Sequence, residues 1–113
     1  MKKTKMLKKN YEFKKVLSKG KYYSGKCIEA FIQENKKEYN LLGLAINVKT
    51  AKAVKRNKIK RLLRENYKIL EDNIDSGKSI VFLWKKGVNI ENANFINIKT
   101  DLNLIFDKAG IKI

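Results

Sequence analysis

Arg56, Lys60, Arg64 and Lys68 stand four residues apart, and on a helix they rise one above another along a single face. Asn57 and Arg61 fill in beside that row. Lys52, in the basic turn just before it, and Lys58, within it, extend the charge. The chemistry open to such a face is phosphate binding. All three arginines of the chain, Arg56, Arg61 and Arg64, fall within nine residues, although Lys and Arg total 27. Arginine's planar fork binds phosphate bidentately and stacks on bases, whereas lysine is a point charge on a flexible stem. Like charges at i,i+4 destabilise a helix by roughly 0.2–0.5 kcal/mol per pair, and only Glu65 offsets them locally. A merely solvated face does not account for a row kept at that cost. An anionic partner does.

Other chemistries lack their residues. There is no His, and Cys27 is the single cysteine, which leaves neither a zinc site nor a thiol–imidazole pair. The eleven acids are scattered. Glu71, Asp72 and Asp75 gather at a helix C-terminus, where carboxylates are unfavourable, and read as surface charge rather than as a divalent-ion site. Gly77-Lys78-Ser79 looks like the tail of a phosphate-binding loop, but Asp72 stands where that loop needs glycine and the order runs helix to strand. No acid–base pair, nucleophile or protein-held metal is legible.

The elements that position the basic row follow from periodicity. Val54, Ile59, Leu62, Leu63, Ile69 and Leu70 gather opposite it, predicting a helix from Ala53 to about Asn73. Lys55 and Lys58 fall toward the apolar side and should snorkel over a sheet edge. Residues 1–9 carry five lysines and read either as a frayed terminus or as a basic arm that orders on RNA. Asn10 is placed to cap a short helix holding Phe13, Val16 and Leu17, which Gly20 ends. Strand patterns follow at Tyr22-Tyr23, Cys27–Gln33 and Leu41–Val48, and Ile80–Trp84 reads as a strand buried on both faces. Asn92 or Asn94 caps a last helix carrying Phe95, Ile98, Leu102, Ile105, Phe106 and Ala109. The expected fold is α+β, order αβββαβα, with helices on a sheet of about four strands.

At 113 residues the chain is expected to be one domain, 1–113, with a hydrophobic content of 43% sufficient for a core. Its net charge of +16 calls for a polyanion, nucleic acid or an anionic membrane surface. No apolar run approaches the roughly 18 residues of a spanning helix, and the first residues lack the apolar stretch expected of a signal peptide. No membrane partner is expected, and the lone cysteine fits a reducing cytoplasm.

Ala53-Val54-Lys55-Arg56-Asn57-Lys58-Ile59-Lys60-Arg61-Leu62-Leu63-Arg64-Glu65 resembles the signature of the bacterial ribonuclease P protein component. That signature reads roughly Ala-Val-x-Arg-Asn-Arg-x-Lys-Arg-x-x-Arg-Glu. Lys58 departs from its second Arg, keeping the charge and losing the fork, and Ala51 stands where the family commonly has Gly. The resemblance implies a left-handed crossover between the strands flanking the basic helix, where the general rule gives a right-handed one. It implies an endoribonuclease holoenzyme that removes the 5′ leader of precursor tRNA, with the chemistry carried by an RNA subunit. Lys52, Arg56, Asn57, Lys58, Lys60, Arg61, Arg64 and Lys68 would face that RNA. Phe13 and Phe31 match aromatics lining a cleft for the single-stranded leader, and Leu17 stands where another aromatic is usual. On residue type alone Phe13 and Phe31 read more readily as core. Tyr22, Tyr23 and Trp84 have no such match and read as packing. Mg²⁺ is the implied cofactor, held mainly by RNA, with Asn57 within reach of a hydrated ion. Partners are then the RNA subunit and precursor tRNA, and no DNA. A ribosomal or architectural RNA-binding protein is the runner-up. A helix–turn–helix regulator lacks a first helix to pair with the basic one.

Overall fold

Residues alternate across β5 (Lys78–Trp84), and that alternation divides the molecule in two. Ile80, Phe82 and Trp84 point into the main core, with Ile59, Leu63 and Tyr67 on one helix and Ile98, Leu102 and Phe106 on another. Val81 points the other way, to Leu7 and Val16, with Phe13, Leu17, Phe31, Leu41 and Leu83 packed around. The structure, a computed structural model, describes all of residues 1–113.

The elements are β1 (Thr4–Met6), α1 (Asn10–Lys19), β2 (Lys21–Ser24), β3 (Ile28–Glu34) and β4 (Asn40–Leu44). They continue with α2 (Ala53–Leu70), a 3₁₀ turn (Glu71–Asn73), β5, a second 3₁₀ turn (Ile90–Asn92) and α3 (Phe95–Ala109). This is an α+β fold, but its sheet has five strands, ordered β1-β4-β5-β3-β2. β1 pairs parallel with β4 and β4 with β5, while β3 is antiparallel to both of its neighbours. The crossovers β1–α1–β2 and β4–α2–β5 both join parallel strands and both advance in the same direction across the sheet. Their helices lie on opposite faces, so the two crossovers have opposite hands. One is therefore left-handed, against the general preference.

The fifth strand corrects the expectation of a loose N-terminus. Thr4, Lys5 and Met6 pair with Asn40, Leu41 and Leu42. The Glu71 carboxylate, only 4% exposed, accepts the backbone N–H groups of Lys2 (3.0 Å) and Lys3 (3.1 Å). The Thr4 and Tyr67 hydroxyls share a 2.7 Å hydrogen bond, and Asn40 Nδ2 donates to the same Tyr67 oxygen. Glu71 is thus a buried clasp rather than surface charge. Lys9, not Asn10, is the N-cap of α1, and its N–H donates to Glu12. β4 ends at Leu44 rather than Val48, because Asn47 Oδ1 accepts from Lys49 N and turns the chain toward α2.

Asp101 on α3 does for the β2–β3 hairpin what Glu71 does for β1. Its buried carboxylate accepts the N–H groups of Lys26, Cys27 and Ile28 at 2.7–3.0 Å. Gly25 allows that approach, since a Cβ there would lie 2.5 Å from Asp101. Asn94 caps α3 by accepting from Asn97 N.

Candidate RNA-binding surfaces

The face α2 buries is Ile59, Leu62, Leu63, Asn66 and Tyr67. Val54 and Ile69, expected on that stripe, are 82% and 57% exposed. The stripe is centred about 20–40° away, where Asn66 fills a buried position by donating to the carbonyls of Leu62 and Phe95. Lys55 lies at its edge and pairs with Glu91 on the second 3₁₀ turn at 2.6 Å, whereas Lys58 stays exposed and unpaired.

The cationic row is not uniform. Arg64 and Lys68 are exposed and free, and Lys60 is half-buried. Arg61 is held by Glu65 at 2.9 Å. Arg56 donates to the carbonyls of Ala51 (2.5 Å) and Val48 (3.3 Å), so it closes the turn that enters the helix while remaining partly exposed. Lys52 is the N-cap, with no side-chain cap bond, and no acid lies in the first turn. A helix N-terminus already carries positive partial charge, and Lys52, Lys55, Arg56 and Lys58 add to it. The turn therefore concentrates positive potential, by composition and by dipole.

Asn57 is exposed beside those cations. One neutral amide oxygen with no carboxylate alongside is a poor donor set for a hard divalent ion, so these residues do not fit a Mg²⁺ site held by protein alone. No three His, Cys, Asp or Glu side chains come together anywhere in the chain.

On the α1 face of the sheet, Phe13, Leu17 and Phe31 do come together. All three are half-buried and pack around Val16 and Val81. Phe13 packs close against β4 because residue 43 is glycine; a Cβ there would come within 2.5 Å of the ring. The open part of this face continues as a groove of about 510 Å³ toward the turns that follow β4 and β5, lined among others by Glu29, Ala45, Lys49, Leu83, Lys85 and Lys86. The groove ends at the β4–α2 turn that Arg56 closes. Ala45, Asn47, Lys49 and Thr50 line the groove, so it leads from the cleft toward the turn that enters the basic helix.

Tyr22 was expected in packing and is instead 51% exposed. It pairs with Phe31 across β2 and β3, with ring centroids 5.3 Å apart, so it extends the aromatic face of the cleft. Its hydroxyl donates to the Glu29 carboxylate, which with burial holds the phenol above its ordinary pKa. Tyr23, one residue on, packs on the core, and Trp84 is buried with its Nε1 donating to Val88 O. The signal for Tyr22 was hairpin register, which places alternate residues of β2 beside Phe31.

A family model for ribonuclease P matches residues 1–110. The chain belongs to the ribonuclease P protein family. Relatives named ribonuclease P protein component include that of Dictyoglomus turgidum, 39% identical over 106 residues that cover 93% of this chain and 88% of that one. The Fusobacterium nucleatum protein is 37% identical over 107 residues, 93% of this chain and 96% of that one. The solved ribonuclease P protein of Staphylococcus aureus superposes with a TM-score of 0.83 at 27% identity, covering 96% of this chain and 97% of that one. That of Thermotoga maritima gives 0.78 at 27% identity, over 89% and 94%. The chain is thus a subunit of the ribonuclease P holoenzyme, an endoribonuclease of tRNA processing. Ribosomal, architectural and helix–turn–helix readings give way to that one. No helix of this chain is long and apolar enough to cross a membrane.

Proposed function

We propose that this ribonuclease P protein holds two RNA segments at once. The exposed α2 face, from Lys52 and Asn57 to Arg64 and Lys68, docks on the catalytic RNA. The cleft of Phe13, Leu17 and Phe31 holds the single-stranded 5′ leader of precursor tRNA. One observation carries the reading: a half-buried aromatic surface shares a sheet face with a lysine-lined groove that reaches the turn entering an uncapped, cationic helix. Rings in a basic groove stack bases regardless of sequence, which suits leaders of varied composition. Lysines and arginines screen repulsion between catalytic RNA and substrate, so the protein lowers the demand for Mg²⁺ that the RNA holds. The chemistry stays with the RNA subunit, since the two buried acids, Glu71 and Asp101, are committed to backbone amides. These partners place the protein in the cytoplasm.

The test compares precursor with mature tRNA on the reconstituted holoenzyme. Stacking is worth about 1–3 kcal/mol per base. Phe31→Ala should weaken precursor binding by roughly that amount and leave mature tRNA unchanged. Equal losses for both ligands would return Phe31 to a packing role.

A further inference from the structure

Glu29 is out of place in a phosphate-binding cleft. It projects from β3 on the same face as Phe31 and stands between the Tyr22–Phe31 rings and the lysine-lined groove. Although Lys49, Lys85 and Lys86 line that groove with it, Glu29 forms no ion pair. Its one partner is the Tyr22 hydroxyl, bonded to Oε2. A carboxylate only accepts hydrogen bonds and has about four lone-pair sites. Tyr22 uses one and fixes the group, leaving Oε1 and the rest of Oε2 without a partner, on a residue that lines the groove.

Beside a nucleic acid such a group repels phosphate, so it gains only by meeting a base edge that donates. Uracil offers a single N3–H between two carbonyls. Adenine and cytosine each offer one amino group next to an acceptor nitrogen. Guanine alone presents two adjacent donors, N1–H and the N2 amino group, matched to two carboxylate oxygens. We propose that Glu29, held by Tyr22 beside the Tyr22–Phe31 platform, reads a guanine base in the leader and makes it a preferred nucleotide at one leader position. This rests on the cleft holding the leader. Tyr22 and Phe31 stack the base, and Glu29 selects it.

The experiment uses reconstituted holoenzyme and precursor tRNAs whose leaders carry G, A, C or U at each successive position within the cleft's reach. A bidentate contact to a base is worth at least about fivefold in discrimination. Wild-type protein should prefer G by that factor or more at one position. Glu29→Gln should reduce the preference to about twofold or less and leave mature tRNA binding unchanged. Tyr22→Phe, which keeps the ring and frees the carboxylate, should reduce it in part. No position with a G preference, or a preference that survives Glu29→Gln, overturns the proposal. Phe31→Ala on the same substrates separates the two readings. If it weakens every precursor whatever the base, while Glu29→Gln changes nothing, the cleft stands and base reading falls. If Phe31→Ala changes no precursor, both fall.

Discussion

Arg56 and Arg64 share one row of α2 but differ in what else they hold. Arg64 and Lys68 touch nothing that the fold needs. Replacing both with Ala should lower the slope of log K against log salt for the RNA subunit by about 0.7–0.9 per lost contact. Thermal stability should hold or rise slightly as like charges are removed. Arg56→Ala should flatten the slope too, but it also strips the carbonyls of Val48 and Ala51 of their donor, at a cost of about 1 kcal/mol. Salt titrations with thermal melts on the variants check both. An unchanged slope for Arg64→Ala with Lys68→Ala would remove α2 from the interface. At this scale the cationic row was legible, because four-residue spacing and residue type suffice. Tyr22 and Glu29 were not, since only the β2–β3 register puts them beside Phe31.

Two buried carboxylates tie elements to one another across long stretches of chain. Burial alone would push the Glu71 carboxyl up. Hydrogen bonds from Thr4 and from the Lys2 and Lys3 amides, with the nearby amino terminus, outweigh burial and hold it below the usual range. Its stabilisation is therefore present above the ordinary carboxylate pKa and is lost as pH falls through the lowered folded-state value. Glu71→Gln should cost about 1–3 kcal/mol at neutral pH, and the difference from wild type should shrink in acid. Urea denaturation at the two pH values measures it; a pH-independent difference would mean the carboxylate's charge is not what holds β1. Asp101→Ala orphans three amides at the β2–β3 turn and should cost at least about 2 kcal/mol. Hydrogen exchange should then rise first at Lys26–Ile28. The three helices and strands β2 to β5 were legible as periodic segments. β1 was not. Three residues among lysines carry too little pattern, and what orders them, Asn40 and Glu71, lies far along the chain.

Across the whole molecule, +16 net charge is carried by a fold whose buried acids brace its own chain. That division suits a protein that organises RNA and leaves the reaction to it. The fold class and the family were legible because an eight-position signature lies on one helix. The five-stranded sheet and the paired crossovers emerge only from long-range pairing. The most direct test is product formation from precursor tRNA by protein alone, RNA subunit alone and the two together, over a Mg²⁺ series. The protein alone should cleave nothing at any Mg²⁺ concentration. The pair should cleave at the leader junction, with the protein's benefit greatest at low Mg²⁺, where its cations replace missing counterions. Site-specific leader removal by nuclease-free protein without RNA would contradict the account.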